Sequence, residues 1–146
     1  MSITLVSFPR SGRNWVCTLL DVYNGGPVFN NRLNNPDNPD VGCSNFLGTY
    51  NHDHNANRVI DGRVLYIYRD PVDVIFSMLN SNNVYVKKDK RLKTIDERIR
   101  VWAKRWRIHK QKWFYNPTIC KDKLTINYDD LVKNPIDTLE LICKWI

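Results

Sequence analysis

Ile3-Thr4-Leu5-Val6-Ser7-Phe8-Pro9-Arg10-Ser11-Gly12-Arg13-Asn14-Trp15 decides how the rest of the chain is read. Ile3-Thr4-Leu5-Val6 has the length of a short buried strand, and Trp15-Val16-Cys17-Thr18-Leu19-Leu20 has the length and apolar density of a helix. Pro9 and Gly12 punctuate the link between them. A strand, a tight loop and a helix N-terminus in succession aim backbone N–H groups and the positive end of a helix dipole at one point, which makes an anion site. The loop is not a Walker A sequence, because the second Gly and the Lys of Gly-x-x-x-x-Gly-Lys-Ser/Thr are missing. That disfavours a magnesium-dependent triphosphatase. The plain alternative is an ordinary strand-to-helix turn whose two Arg are solvated.

Working outward, Val64-Leu65-Tyr66-Ile67-Tyr68 is the clearest strand, an unbroken apolar and aromatic run suited to a parallel sheet covered on both faces. Asp70 then caps a helix with Pro71 at its first position and Asp73 near the positive end of the dipole, running through Leu79. Ser77 falls two turns beyond Asp70, away from an apolar side formed by Val72, Ile75 and Leu79. Thr94-Ile95-Asp96-Glu97 is a capping box opening a long helix. On it Ile95, Ile99, Trp102, Trp106 and Trp113 follow helical spacing, a stripe read as core rather than as a base-stacking surface. Leu124-Thr125-Ile126-Asn127 reads as another strand, and Asn134-Pro135 starts a last helix with an Asn cap. Residues 24 to 57 hold ten Asn with Pro27, Pro36 and Pro39 and read as loop, interrupted by a short strand at Phe46 to Asn51. The alternation predicts a single α/β domain over residues 1–146, a parallel β-sheet flanked by helices, with ligands at the carboxyl ends of the strands.

Composition narrows the class further. The chain has 146 residues, 42% hydrophobic and 25% charged, the profile of one ordinary globular domain with no room for a separate substrate domain. No run reaches the roughly 18 apolar residues that cross a bilayer, so no membrane partner is expected. The N-terminal run is too short for a secretory signal, so a cytoplasmic protein is expected. Cys17, Cys43, Cys120 and Cys143 are scattered and read as reduced thiols. The net charge is +7, yet residues 87–112 carry twelve Lys or Arg against Asp89, Asp96 and Glu97, a local +9 that leaves −2 elsewhere. Such a segment suits an anionic partner or a solvated helix face.

Pro9-Arg10-Ser11-Gly12-Arg13-Asn14-Trp15 resembles the Pro-Lys-Ser-Gly-Thr-Thr-Trp loop of sulfotransferases that use 3′-phosphoadenosine 5′-phosphosulfate (PAPS), where the loop holds the 5′-phosphosulfate. Arg69-Asp70-Pro71-Val72-Asp73-Val74-Ile75-Phe76-Ser77 resembles the second signature of that family, an Arg ending a strand and a Ser eight residues later that together bind the 3′-phosphate. Asn127-Tyr128-Asp129-Asp130-Leu131 is similar to the family's Tyr-Glu-Asp-Leu segment, whose Tyr lies near the adenine. The resemblance implies a P-loop-like sulfotransferase fold, C-terminally shortened, with PAPS as co-substrate and no metal. It implies Arg10, Ser11, Gly12, Arg13, Asn14, Trp15, Arg69, Ser77 and Tyr128 as the nucleotide-binding residues.

Three departures shape the expected chemistry. The loop Lys is Arg10, which keeps the charge, adds fork geometry and gives up no proton, so its catalytic role is electrostatic. Arg13 and Asn14 replace two Thr and still donate hydrogen bonds. The family's C-terminal Arg-Lys-Gly and Gly-x-x-Gly segment has no counterpart, which leaves its closing role to a second subunit, and hence a homodimer, or to the basic segment. The family's general base is a His on a strand about twenty residues before the 3′-phosphate Arg. In Asn51-His52-Asp53-His54, His52 is chosen by position and His54 is second. The same pair suits a metal, but no third ligand is spaced nearby. His109 is given no role. The implied reaction is sulfuryl transfer to a hydroxyl or amine of a small-molecule, glycan or peptide acceptor. The rivals are a PAPS-binding or PAP-binding module without turnover and a nucleic-acid-binding protein using the basic helix, which leaves both loop motifs unexplained.

Overall fold

Alternation along two adjacent strands sets the architecture. In a computed structural model, which describes residues 3–26, 29–30, 48–52, 59–80, 92 and 94–146, strand β1 (Ile3–Ser7) sends Ile3 and Leu5 to one face of the sheet and Val6 to the other. Strand β4 (Ile60–Tyr68) does the same with Leu65 and Ile67 against Val64 and Tyr66. All of these side chains are buried, so both faces must be covered. Helix α1 (Arg13–Asn24) covers the first face with Val16 and Leu20. Helices α4 (Tyr128–Lys133) and α5 (Pro135–Trp145) add Leu131 and Ile142 there. The second face packs on Trp113 and Ile119. Helices α2 (Pro71–Asn80) and α3 (Ile95–Lys110) close around Phe8 with Val74, Met78 and Trp102.

Five parallel strands lie in the order β2-β3-β1-β4-β5, where β2 is Phe29–Asn30, β3 is Gly48–Asn51 and β5 is Cys120–Asn127. The α/β parallel sheet flanked by helices is as expected. Strand β4 starts earlier than its apolar run because Ile60 pairs with Cys120 across an irregularity before Arg63. Asp61-Gly62 breaks the hydrophobic pattern there and hides the extension. Phe46 and Cys43 lie outside the described residues.

Local signals explain the helix ends. Asp70 accepts from the Val72 N–H at 2.8 Å ahead of Pro71, and Thr94 and Glu97 form the reciprocal capping box. Asn134 stands at the start of α5 without a side-chain capping bond, and the chain makes an additional short helix, α4, capped by Asn127. Two expected faces need correction. On α2 the buried side is Val74 and Met78, and Val72 is exposed. On α3 the apolar stripe becomes core only from Trp102, where Phe8 meets it edge-on at 6.2 Å, and Ile95 and Ile99 face solvent. Beyond α3 a single wide turn, Gln111–Tyr115, swings Trp113 into the core, and the Lys123 ammonium takes up the Trp113 carbonyl at 2.6 Å.

Trp145 and Ile146 pack against the core of their own chain. Arg63 donates to both of their carbonyls, lies over the Trp145 ring at 4.2 Å and pairs with Asp122 at 2.9 Å. Among the described residues no helix is long and apolar enough to cross a membrane. Cys17, Cys120 and Cys143 are free thiols.

Leu65→Ala, which opens a void in the middle of the sheet, is expected to lower unfolding free energy by about 2–5 kcal/mol in urea titration, while Val72→Ala stays within about 0.5 kcal/mol. Burial pushes the Cys17 thiol up to about 11 from 9.0, partly countered by Arg13. The folded chain therefore holds this proton more tightly than the unfolded one. The resulting stability is present below about pH 9 and lost as pH climbs towards about 11, so the urea midpoint should fall over that window, and fall less in Cys17→Ala.

Candidate functional site

The register of the sheet brings the strand ends level. Val6 pairs with Asn51, so His52 leaves β3 beside Ser7. Ser7 pairs with Ile67, so Arg69 follows at the mouth of the β1 loop. Tyr68 pairs with Asn127, so Tyr128 emerges beside Arg69. After β1 the chain turns to the β2–β3 side, and after β4 it turns to β5. The crevice between β1 and β4 is thus the topological switch point where open parallel sheets bind ligands.

The loop after β1 is built around two left-handed residues, Arg10 at φ 68° and Gly12 at φ 90°. For Arg10 this conformation costs about 1–2 kcal/mol, and it is held from both ends. Its Nε donates to the Ser77 hydroxyl at 3.0 Å, and its carbonyl accepts from Arg69 at 3.4 Å. The residues of the two loop motifs therefore meet directly. Gly12 is fixed by steric contact, since a Cβ there would run into the Tyr128 ring, with Cε2 only 2.6 Å away. The Arg69 guanidinium lies over that same ring at 4.4 Å and reaches Asp73 at 3.8 Å.

Helix α1 begins with no side-chain cap and no acidic residue in its first turn. Helices α3 and α4, by contrast, carry both. The first N–H groups of α1 thus keep their positive field, reinforced by Arg10 and Arg13. Ser11 is buried at the bottom of the loop with its hydroxyl unpartnered among the described residues. Arg13 donates to the Asn14 side chain at 3.4 Å, and Trp15 leaves half its surface in solvent. Beside Arg69 opens a cavity of about 160 Å³ lined by Tyr68, Asp70, Trp106, Lys110, Asn127 and Asp129.

His52 stands 2.9 Å from the Ser7 carbonyl through Nδ1. A carbonyl only accepts, so Nδ1 carries the hydrogen, and the neutral ring keeps its lone pair on Nε2. His54 lies outside the described residues, among which no cluster of three metal-ligating side chains occurs. Trp106, which the sequence assigns to the core, and His109, to which it assigns no role, also touch the site. Trp106 donates its indole N–H to the Arg69 carbonyl at 3.3 Å. His109, on the basic helix, is buried and contacts the His52 backbone. No sequence signal marks either, because both contacts cross between elements far apart in the chain.

A family profile described as the sulfotransferase family matches residues 61–146. That span contains Arg69, Ser77 and Tyr128, while Arg10 to Trp15 and His52 precede it. No curated protein matches the chain. Gly12→Ala should displace Tyr128 and cost more than the about 1–2 kcal/mol that φ alone demands. The checks are urea unfolding and a change in the near-ultraviolet circular dichroism of the tyrosines.

Proposed function

Because the chain belongs to the sulfotransferase family, we propose that it moves a sulfuryl group from PAPS to a hydroxyl or amine acceptor. The observation that carries this reading is the contact of Arg10 with Ser77 and Arg69 across the switch point. It joins the loop suited to a 5′-phosphosulfate to the pair suited to a 3′-phosphate. The buried, unpartnered Ser11 hydroxyl and the uncapped start of α1 fit an anionic group seated there.

Each side chain then has a task. The loop N–H groups and Arg10 offset the charge that grows on the departing 5′-phosphate. Asn14 and Arg13 complete that contact. Arg69 and Ser77 grip the 3′-phosphate, and Tyr128 holds the Arg69 fork flat from below. Trp15, with an exposed face, stacks with the adenine. His52 takes the acceptor proton on Nε2 as the new O–S or N–S bond forms and the bond from sulfur to the phosphate oxygen breaks. The products are the sulfated acceptor, 3′-phosphoadenosine 5′-phosphate (PAP) and a proton left on His52. Most of the work is positioning and charge stabilisation, as in phosphoryl transfer.

Calorimetric titration with PAP tests the nucleotide site. The wild type should bind with micromolar Kd, about −8 kcal/mol, and Arg69→Ala should weaken it by about 1.5–3 kcal/mol because the 3′-phosphate loses charge-assisted hydrogen bonds. No binding by a folded wild type would overturn the reading. Tight binding of PAP, with labelled PAPS giving no sulfated product across an acceptor panel, would replace it with a nucleotide-binding module.

A further inference from the structure

We propose that His109 is a positioning residue that fixes the orientation of His52, an inference that rests on His52 being the general base. His109 sits in the last turn of α3 with 5% of its surface exposed. Its Nε2 lies 3.0 Å from the backbone carbonyl of His52, 57 residues away. That carbonyl can only accept, so Nε2–H donates. The ring is clamped edge-on by Phe8 at 5.4 Å and flanked by Tyr66 at 5.8 Å.

These contacts form one continuous chain. Phe8 directly follows Ser7, whose carbonyl receives the His52 ring N–H. The side chain of His52 is therefore tied to the end of β1, and its backbone is tied to α3 by a residue packed on the start of the same loop. A ring hydrogen-bonded at Nδ1 can still swing with its backbone. Anchoring the carbonyl removes that freedom and keeps the Nε2 lone pair aimed along one direction. A histidine that merely filled space would have no reason to direct its donor at this one peptide, and an apolar ring would pack between Phe8 and Tyr66 without a desolvated N–H.

Long-range proton–nitrogen correlation spectra of the histidine side chains, with PAP affinity in parallel, test the proposal. In the wild type His109 should carry its hydrogen on Nε2 and His52 on Nδ1. His109→Phe should convert His52 to a mixture of tautomers while PAP affinity stays within about twofold, since the nucleotide contacts are untouched. His109→Gln, whose side-chain amide can present an N–H near the Nε2 position, should restore the His52 signature. A wild-type His109 with its hydrogen on Nδ1 overturns the proposal even where the Phe variant does not fold, as does an unchanged His52 signature in a folded His109→Phe. The base reading is judged separately, by release of PAP from PAPS with 2-naphthol as acceptor. Full turnover in His52→Asn sinks that reading and leaves the spectroscopic result standing. Where turnover needs His52, His109→Phe should lower kcat about 10–100-fold with KM for PAPS unchanged, and an unchanged kcat counts against positioning.

Discussion

Everything at the site depends on strand register. In a parallel sheet the hydrogen bonds set where each strand stops relative to its neighbours, and here β3, β1, β4 and β5 stop nearly level. A shift of one residue in β4 against β1 would turn Leu65 and Ile67 out of one core and drive Val64 and Tyr66 into it. The same shift would carry Arg69 away from Arg10. Core packing and site assembly are thus one constraint, and apolar burial on both faces holds the polar groups at the rim.

Much of this was legible because the deciding signals are local. Ile3 to Val6, Val64 to Tyr68, the Asp70-Pro71 start and the Thr94 to Glu97 capping box each announce an element through neighbouring residues. Motifs mark Arg10, Arg69, Ser77 and Tyr128, and the structure brings them into contact. What stayed hidden depends on partners distant in sequence. Val72 and Ile99 have the right spacing for a core yet stay exposed, whereas Trp102 packs on Phe8. His109 sits among lysines and arginines that suggest a solvated face, and its burial becomes visible only once β1 and β4 are in place.

The charges at the rim need balance as well as placement. Arg69 faces Asp73 and the Tyr128 ring, and Lys110 lies over Trp106 at 4.9 Å and Phe114 at 5.2 Å. The ring contacts hold these cations at the rim, where Asp73, and Asp70 and Asp129 on the cavity wall, offset part of their charge. The left-handed Arg10 belongs to the same design. Strain that no local preference supports is held by two hydrogen bonds from the second motif.

The central place of β1 bears on how the chain is made. It precedes both of its partners in the chain, β3 and β4, and the latter ends at Tyr68. Until that much chain has emerged, Ile3, Leu5 and Val6 have a ladder only towards β3 and only part of their core. Nascent chains with apolar strands waiting for late partners are the ones chaperones shield, and slow translation across residues 48–68 would lengthen that exposure. The arrangement that places the loop after β1 at the middle of the sheet leaves its supporting strand paired on both sides only once β4 has been made.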